Sequence, residues 1–224
     1  MNLRWSKPLI IIEGNIASGK STASRELSKR LNLRLLQEPV DDELLQLFYD
    51  DQKRWAFAFQ MEMLHRRWSM QMSAASEINI DGGYNGACLD RSLWGDLCFC
   101  RILTEAGIIH KKEWEIYISA VRNMSMVLFP PTVLVYLNAR PETCLERIKL
   151  RSRPQEAGIG LDYLTAVHNG YQKLLSEAKT GFFPWSHAMQ TLIIPWDPNV
   201  VTPQEWDRTA AMLKETVELL HSSL

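Results

Sequence analysis

The residues with the clearest chemical signature are Gly14, Gly19, Lys20 and Ser21, which fit the pattern Gly-x-x-x-x-Gly-Lys-Ser between an apolar run and a helical pattern. Glycines at this spacing let backbone N–H groups wrap phosphate oxygens, and the N-terminus of the following helix adds partial positive charge. Lys20 can reach the β- and γ-phosphates, and Ser21 can offer its hydroxyl to Mg²⁺. The pattern predicts a nucleoside triphosphate site formed by Gly14, Asn15, Ile16, Ala17, Ser18, Gly19, Lys20, Ser21 and Thr22.

Two acids follow other apolar runs, and the carboxyl ends of parallel strands would bring them beside this loop. Glu38 is interpreted as a general base that deprotonates an attacking hydroxyl, with a solvated loop acid as the alternative. Asp90 is placed to hold Mg²⁺ through water, and Arg91 is placed to neutralise a transferring phosphoryl group. The alternative for these two residues is a structural pair that caps the next helix.

A long helical pattern over residues 53–73 carries Gln60 and Arg67. Seven residues are two helical turns, so the two side chains lie on one face, about 10 Å apart along the axis. A glutamine and an arginine on one face can hydrogen-bond the edge of one nucleobase. Methionines and aromatic residues surround them, however, and the spacing alone favours a polar stripe on a core-facing helix.

Three arginines, Arg147, Arg151 and Arg153, come just before a loop that contains proline and glycine. Arg147 and Arg151 are four residues apart, which places them on one face of a helix. Arginines that converge on a mobile loop indicate a lid that closes over phosphates and supplies positive charge in the transition state. A solvated basic face is the alternative. Residues 195–199 could form a loop against the adenine of ATP.

Five short apolar runs are predicted to be buried parallel strands, and helical patterns lie between them. This alternation is typical of an α/β fold in which helices cover both faces of a parallel sheet. The runs lie at residues 9–12, 33–36, 87–89, 132–137 and 191–194. A chain of 224 residues suits one such domain.

The net charge of −1 gives no indication of a nucleic-acid partner or a membrane surface. About eight residues precede the first predicted strand, too few for a targeting peptide, and no apolar run approaches the length of a membrane span. The cysteines lack the spacing of metal ligands, and they are predicted to be reduced core thiols of a cytoplasmic protein. They are Cys88, Cys98, Cys100 and Cys144.

The chain resembles the deoxyribonucleoside kinases, the family of deoxycytidine, deoxyguanosine and deoxyadenosine kinases, over most of its length. Several blocks carry the likeness in the same order along the chain. They are residues 13–21, Glu38-Pro39-Val40, Tyr49 with residues 54–60, Asp90-Arg91-Ser92 with Asp96, and residues 141–145 with Arg147, Arg151, Arg153 and Glu156. The resemblance implies a P-loop kinase fold with a five-stranded parallel sheet, a single kinase domain over residues 1–224 and an arginine-rich lid at about 147–160.

The resemblance also implies the roles of the residues at the reacting centre. Glu38 matches the base that takes the proton from the 5′-hydroxyl of a nucleoside, and Arg91 matches the arginine that holds this base and the phosphoryl group. Asp90 stands where many members have a glutamate. The shorter acid reaches less far, so its contact with Mg²⁺ would run through water.

Residues that match the nucleoside site lie further along the likeness. Tyr49 and Glu156 match the pair that binds the sugar 3′-hydroxyl. The residues that match the rest of this site are Phe59, Gln60, Arg67 and Asp96. The spacing alone favours a polar stripe for Gln60 and Arg67, but the resemblance assigns them to base recognition. It also assigns Arg147, Arg151 and Arg153 to the lid.

The resemblance implies ATP-dependent, Mg²⁺-dependent 5′-phosphorylation of a deoxyribonucleoside in nucleotide salvage, by a homodimer. Asp96, paired with Arg67, would accept a hydrogen bond from an exocyclic amine or orient Arg67 toward a ring acceptor, and Gln60 can donate and accept at once. Thymine carries a carbonyl instead of this amine and is disfavoured. Cys100 stands where relatives often carry a phenylalanine against the base, and the smaller side chain favours purines. A deoxycytidine-preferring enzyme is the alternative.

Two other functions fit parts of the pattern. A nucleoside monophosphate kinase shares the loop, lid and fold, but Glu38 would repel the phosphate of its acceptor at the reacting centre. A nucleotide-dependent switch needs the phosphate loop, but it has no use for a base, a sugar clamp and three lid arginines together.

Overall fold

A computed structural model describes residues 7–38, 41–79, 83–177, 189–197 and 201–222. Within these residues, no helix is long and apolar enough to cross a membrane. The four cysteines are buried free thiols, which agrees with the prediction of reduced core residues. The described residues contain no cluster of three or more His, Cys, Asp or Glu side chains that could hold a metal ion.

The five predicted strands are all present and form one parallel sheet in the order β2-β3-β1-β4-β5. Each strand contains most or all of its predicted run. The strands are β1 (Leu9–Gly14), β2 (Leu33–Leu36), β3 (Gly86–Asp90), β4 (Val133–Asn138) and β5 (Gln190–Pro195). Strand β1 is the middle strand of the sheet, and all its residues are buried. Its last residue, Gly14, is also the first residue of the predicted phosphate loop.

Helices cover both faces of the sheet. They are α1 (Lys20–Leu31), α2 (Asp42–Asp50), α3 (Gln52–Asn79), α4 (Leu93–Glu105), α5 (Lys111–Ser125), α6 (Pro141–Arg151), α7 (Leu161–Glu177) and α8 (Pro203–Ser222), with a short 3₁₀ helix at Pro154–Glu156. Helix α3 is longer than its predicted span of 53–73.

Side chains of β1 alternate between two hydrophobic cores. Leu9 and Ile11 pack in the core that includes residues of α3, α4, α5 and α7, whereas Ile10 and Ile12 pack in the core with residues of α1, α6 and α8. This alternation follows from the two-residue period of a strand. A sheet buried on both faces requires apolar runs instead of alternating polar residues, which explains why the strands could be found in the sequence.

Candidate active site

A cleft of about 360 Å³ opens at the carboxyl ends of β1, β2 and β3. Ligands of open parallel sheets bind at this edge. The phosphate loop, α2, α3, α4 and the segment after α6 complete its walls. Predicted site residues that line it are Ile16, Ala17, Lys20, Ser21, Glu38, Tyr49, Phe59, Gln60, Arg67, Asp90, Arg91, Arg151, Arg153 and Glu156.

The phosphate loop turns sharply between β1 and α1, and the turn depends on glycine at two positions. A Cβ at Gly14 (φ 155°) would lie 2.7 Å from Ser18 Oγ, and Gly19 has a φ of 98° just before α1 begins. Asn15 anchors the loop, because its Nδ2 donates to the carbonyl of Leu164 at 2.9 Å. The loop thus has the backbone form that phosphate binding requires.

Lys20 lies at the first position of α1 and points into the loop, where its Nζ donates to the Asn15 carbonyl at 2.5 Å. Burial, together with the nearby Arg91 guanidinium, lowers the pKa of Lys20 to about 7. A bound phosphate would favour the protonated amine, because an adjacent anion stabilises the charged form.

Asp90, at the end of β3, is buried and lines the cleft together with Lys20 and Ser21. Its Oδ1 has no hydrogen-bond partner among the described residues. A buried carboxylate oxygen and a hydroxyl facing one cleft are hard oxygen donors of the kind that Mg²⁺ takes, with water completing its shell. The residues therefore fit the predicted magnesium site.

A chain of ion pairs lines one wall of the cleft, with the partly buried Glu38 at its centre. Arg67 Nε donates to Glu38 Oε1 at 3.1 Å, and Arg91 Nε lies 3.2 Å from Glu38 Oε2. Arg67 also pairs with Asp96, which accepts a hydrogen bond from Tyr117 Oη at 2.6 Å. Arg67 thus joins two carboxylates that are 58 residues apart in sequence.

This arrangement keeps Glu38 ionised. Burial alone would raise the pKa of its carboxyl, but the Arg67 and Arg91 guanidiniums outweigh burial and hold the pKa below its ordinary value. A carboxylate in a cleft beside a phosphate loop can accept a proton from a hydroxyl placed against it.

Arg91 adopts a left-handed backbone conformation with a φ of 70°. Its Nη1 donates to the carbonyl of Gly14 at 3.2 Å and to Tyr171 Oη at 2.9 Å, and its guanidinium lies 4.8 Å from the ring centroid of Phe99. These contacts link the phosphate loop to Glu38 through one side chain. The N-cap of α4 is the next residue, Ser92, whose Oγ accepts from Trp94 N, so Asp90 and Arg91 do not form the helix cap that the alternative interpretation of this pair required.

Glu13 and Tyr171 were missed by sequence reasoning. Glu13 is the last residue before the loop glycine and is fully buried, and its carboxylate accepts a hydrogen bond from Tyr171 Oη at 2.8 Å. An acid that directly follows three isoleucines was the available signal, because a charge at the end of a buried strand needs partners.

Tyr49 and Glu156, the predicted sugar-binding pair, come from α2 and the 3₁₀ helix and face the same cleft. Burial, and then the negative charge of Glu156, raises the pKa of Tyr49 to about 12. The phenol therefore remains a neutral donor at physiological pH. Tyr163 of α7 lines the cleft beside them and was not predicted.

The three predicted lid arginines occupy different places. Arg151, at the end of α6, donates to Glu156 at 2.5 Å, and Arg153 Nη1 lies 3.8 Å from the same carboxylate. Arg147, one turn earlier, instead donates to the carbonyls of Ser18 at 2.9 Å and Trp196 at 3.2 Å. Arg147 therefore contacts the backbone of the phosphate loop, while Arg151 and Arg153 lie at the cleft.

Residues 195–197 of the predicted adenine loop are described, and 198 and 199 lie outside the described residues. Trp196 packs on Trp206 with ring centroids 5.0 Å apart, and a Cβ at Gly19 would lie 3.1 Å from its Nε1. The segment thus adjoins the phosphate loop, and its contact with adenine stays a prediction.

The predicted base-reading residues divide between the cleft wall and the layer behind it. Gln60 and Arg67 line the cleft, and Gln60 Oε1 is buried with no hydrogen-bond partner in the described part of the chain. Phe59 also lines the cleft and stacks on Phe48, with ring centroids 4.8 Å apart. Asp96 does not face the cleft and holds Arg67 from behind.

The prediction that Cys100 lies against the base is wrong. Cys100 is fully buried in the core, and it is Phe99 that lines the cleft. Neighbouring residues of a helix differ by about 100° in direction, so an offset of one position turns a side chain from the cleft into the core. The extra room inferred for a purine therefore does not come from Cys100.

Comparison with known proteins agrees with this geometry. The family model described as deoxynucleoside kinase matches residues 10–217. The deoxyadenosine kinase of Dictyostelium discoideum is 32% identical over 75% of this chain and 66% of that protein, and the deoxyguanosine kinase of the same organism is 30% identical over 84% and 64%. The matches thus span just under two thirds of these two relatives.

A solved structure shares the fold. It is described as deoxyadenosine kinase from M. mycoides with bound dCTP, and it superposes with a TM-score of 0.75 at 22% identity, covering 92% of this chain and 99% of that chain. The parallel sheet, its flanking helices and the cleft at the strand ends therefore have a P-loop kinase architecture.

Proposed function

The chain belongs to the deoxynucleoside kinase family, and on that premise we propose that it transfers the γ-phosphoryl group of ATP to the 5′-hydroxyl of a deoxyribonucleoside in nucleotide salvage. The observation that carries the proposal is the position of Glu38, which two arginines hold in the cleft that Lys20 and Ser21 also line. A base and a phosphate loop facing one cleft are the parts that in-line transfer to a hydroxyl needs.

In this mechanism Glu38 accepts the proton of the 5′-hydroxyl as the oxygen attacks the γ-phosphorus. Lys20 and Arg91 stabilise the charge that spreads over the transferring group, because fixed cations in a water-poor cleft cost little reorganisation. Arg91 contacts both the loop carbonyl of Gly14 and Glu38, so it lies between donor and base.

Mg²⁺ would be held by Ser21 and, through water, by Asp90. When bound, the ion neutralises charge on the phosphates of ATP. Support comes from the buried Oδ1 of Asp90, which lacks a protein partner among the described residues. Arg151 and Arg153 would close over the phosphates as the lid, about residues 147–160 of a single domain over 1–224, and Arg147 would brace the loop.

The sugar and base would occupy the other half of the cleft. Tyr49 and Glu156 would hydrogen-bond the 3′-hydroxyl, and the base would lie between Phe59 and Phe99. Gln60 can accept from an exocyclic amine with Oε1 and donate to a ring nitrogen with Nε2. Arg67, held by Asp96, would donate to a second ring acceptor.

We propose a purine, in deoxyadenosine or deoxyguanosine, as the preferred base. The support is the hydrogen-bond pattern of Gln60 and Arg67, which suits the N1, amine and N7 positions of adenine. Deoxycytidine is the second candidate, because Gln60 complements the amine and N3 of cytosine in the same way. Thymidine is disfavoured, because it lacks both the exocyclic amine of adenine and cytosine and the N7 acceptor that adenine and guanine share.

Two further features of the proposal concern the protein as a whole. A homodimer is proposed, with the half-buried aromatic residues Trp68 of α3 and Trp114 of α5 as its candidate interface. A cytoplasmic location is proposed because all four cysteines are free thiols, the state that a reducing compartment maintains.

Initial rates with ATP and Mg²⁺ test the function. Deoxyadenosine, deoxyguanosine, deoxycytidine and thymidine are compared with the four matching monophosphates. The expected result is turnover of one or more of the first three nucleosides, highest for a purine, with thymidine poor and the monophosphates inert. Preference for a monophosphate would overturn the assignment of Glu38, and preference for thymidine would overturn that of Gln60 and Arg67.

A further inference from the structure

We propose that Glu13 and Tyr171 are positioning residues that hold Arg91 in line with Glu38 and the phosphate loop. The inference rests on the proposed function, because it assigns a purpose to the orientation of Arg91. Neither residue lines the cleft. Their effect on the reaction would therefore run mainly through Arg91, with a smaller effect of the Glu13 charge on the pKa of Lys20, which it raises.

The direction of each hydrogen bond in this group is set by chemistry. An arginine side chain only donates, and an ionised carboxylate only accepts. The Tyr171 hydroxyl must then accept from Arg91 Nη1, at 2.9 Å, and donate to Glu13 Oε2, at 2.8 Å. The hydroxyl uses both functions at once, which fixes its proton and leaves no freedom to turn.

Tyr171 spans a gap that the two charged groups cannot close alone. Arg91 Nη1 and Glu13 Oε2 are 3.8 Å apart, beyond hydrogen-bond distance. Tyr171 is fully buried on α7, and burial, together with the Glu13 charge, raises its pKa well above the ordinary value, so it stays a neutral hydroxyl. The Tyr171 hydroxyl thus bridges the Glu13 carboxylate and the Arg91 guanidinium through two hydrogen bonds.

Glu13 is itself immobilised on its other side. Its Oε1 accepts from the backbone N of Ser92 at 2.8 Å and from Ser92 Oγ at 2.7 Å. Ser92 directly follows Arg91, so these bonds also fix the backbone of the segment that holds Arg91 at its φ of 70°. Glu13 therefore restrains Arg91 in two ways. Through Tyr171 it holds the Arg91 side chain, and through Ser92 it holds the Arg91 backbone.

Gly95 allows this arrangement to form. A Cβ at that position would lie 2.3–2.4 Å from the carboxyl atoms of Glu13, so any side chain there would displace the carboxylate. Helix α4 can approach β1 this closely only with glycine. Because α4 and β1 come this close at the Glu13 carboxylate, we infer that the carboxylate must occupy this position.

Removal of the Tyr171 hydroxyl should therefore misplace Arg91 while leaving the binding residues of the cleft untouched. We expect Tyr171→Phe to lower kcat about 10- to 100-fold, the range for small misplacement of a catalytic group, with KM for nucleoside and ATP within about threefold of wild type. Three cations face Glu38, namely Lys20, Arg67 and Arg91. Loss of one aligned cation should also shift the acid limb of kcat/KM to higher pH.

Tyr136→Phe is the matched control. Tyr136 is buried on β4, its ring centroid lies 5.3 Å from that of Tyr171, and its hydroxyl has no hydrogen-bond partner among the described residues. This variant should keep wild-type kcat and its acid limb. Glu13→Gln supplies a second test, because it keeps the shape of the side chain and removes its charge. It should lower kcat at least as much as Tyr171→Phe.

Crystal structures of wild type and Tyr171→Phe complete the experiment, since they report on Arg91 whether or not the nucleoside assay succeeds. The expected result is displacement of the Arg91 guanidinium from Glu38 in the variant. An unmoved Arg91, or equal kcat losses in Tyr171→Phe and Tyr136→Phe, would overturn the inference. Wild-type protein that phosphorylates no deoxynucleoside would instead overturn the proposed function, while the two structures still decide the role of Tyr171.

Discussion

The ion pairs around Glu38 and those of the proposed lid use the same types of side chain in different surroundings. Around Glu38, the side chains of Arg67, Arg91 and Asp96 are 6%, 7% and 0% exposed. In the proposed lid, the side chains of Arg151 and Arg153 are 35% and 55% exposed. The first group is fixed by partners on several elements of the fold, whereas the second depends on the single carboxylate of Glu156.

Burial gives these two groups different energetic roles. Removing one partner of a buried ion pair costs about 3–5 kcal/mol, because it leaves a charge without compensation, whereas an exposed pair contributes about 0–1 kcal/mol. The buried chain can therefore hold Glu38 and Arg67 in place before substrate arrives. The 3.8 Å pair between the half-exposed Arg153 and Glu156 should cost little to break, so we expect Arg153 to exchange Glu156 for phosphate oxygens while Arg151 stays on this buried carboxylate.

The largest expected effect is on Glu38, the centre of the buried chain. Glu38→Gln keeps its size and removes its basicity, so turnover should fall about 10²- to 10⁴-fold, the usual contribution of a general base. Nucleoside affinity, measured by calorimetry, should change only a few-fold. Near-normal turnover would mean that the buried chain serves stability alone.

A substitution at Asp96 tests whether the buried ion pairs contribute more to stability than the exposed ones. Asp96→Ala removes one of the two carboxylates that pair with Arg67 and leaves the Tyr117 hydroxyl without its acceptor, and the free energy of unfolding in urea should fall by about 3 kcal/mol. Asp207→Ala is the control, because Asp207 forms an exposed ion pair with Arg30 and should cost about 1 kcal/mol or less. Equal losses in both variants would erase the distinction between buried and exposed pairs.

Asp96→Ala is expected to lower stability. In the proposed lid, by contrast, we expect a substitution to lower the rate and to leave the free energy of unfolding almost unchanged. Arg153→Gln should lower kcat about three- to tenfold and change the free energy of unfolding by less than about 0.5 kcal/mol. Arg140→Gln, at the exposed start of α6 with Asp197 as its partner, should change neither quantity. A stability loss from Arg153→Gln as large as that from Asp96→Ala would contradict the assignment.

The smallest expected effect is on pH dependence. Burial raises the pKa of Glu38, but Arg67 and Arg91 more than reverse that change, so the folded pKa lies below the ordinary glutamate value of about 4.3. Stability from this group is complete above the unfolded pKa and is lost as pH falls through the lower folded pKa. The kcat/KM for nucleoside should accordingly show no acid limb from Glu38 between about pH 5 and 7, and a limb near pH 6 would contradict the ion pairs.

Local sequence patterns were enough to locate the sheet and the phosphate loop. The five strands were found because a sheet buried on both faces leaves uninterrupted apolar runs, and the loop because its glycines and Lys20 are fixed by phosphate geometry. The pairing of Arg67 with Asp96 came from the resemblance, and the structure confirms that ion pair.

Other contacts that depend on tertiary packing were not predicted. Arg67 also binds Glu38, 29 residues away, and nothing in the pattern of α3 indicates this. Tyr171 falls among apolar residues at helical spacing and reads as core, although its hydroxyl joins two charges. The error at Cys100 shows that a helix face is known from sequence only to within about one residue.

Transfer of phosphate to the 5′-oxygen is the central claim, and a labelled-product assay tests it most directly. The protein is incubated with γ-labelled ATP, Mg²⁺ and its preferred deoxynucleoside, or the analogue that lacks the 5′-hydroxyl, and the products are separated. We predict label in the 5′-monophosphate of the nucleoside and none with the analogue. Label released equally with both compounds, or transferred only to a monophosphate acceptor, would contradict the account.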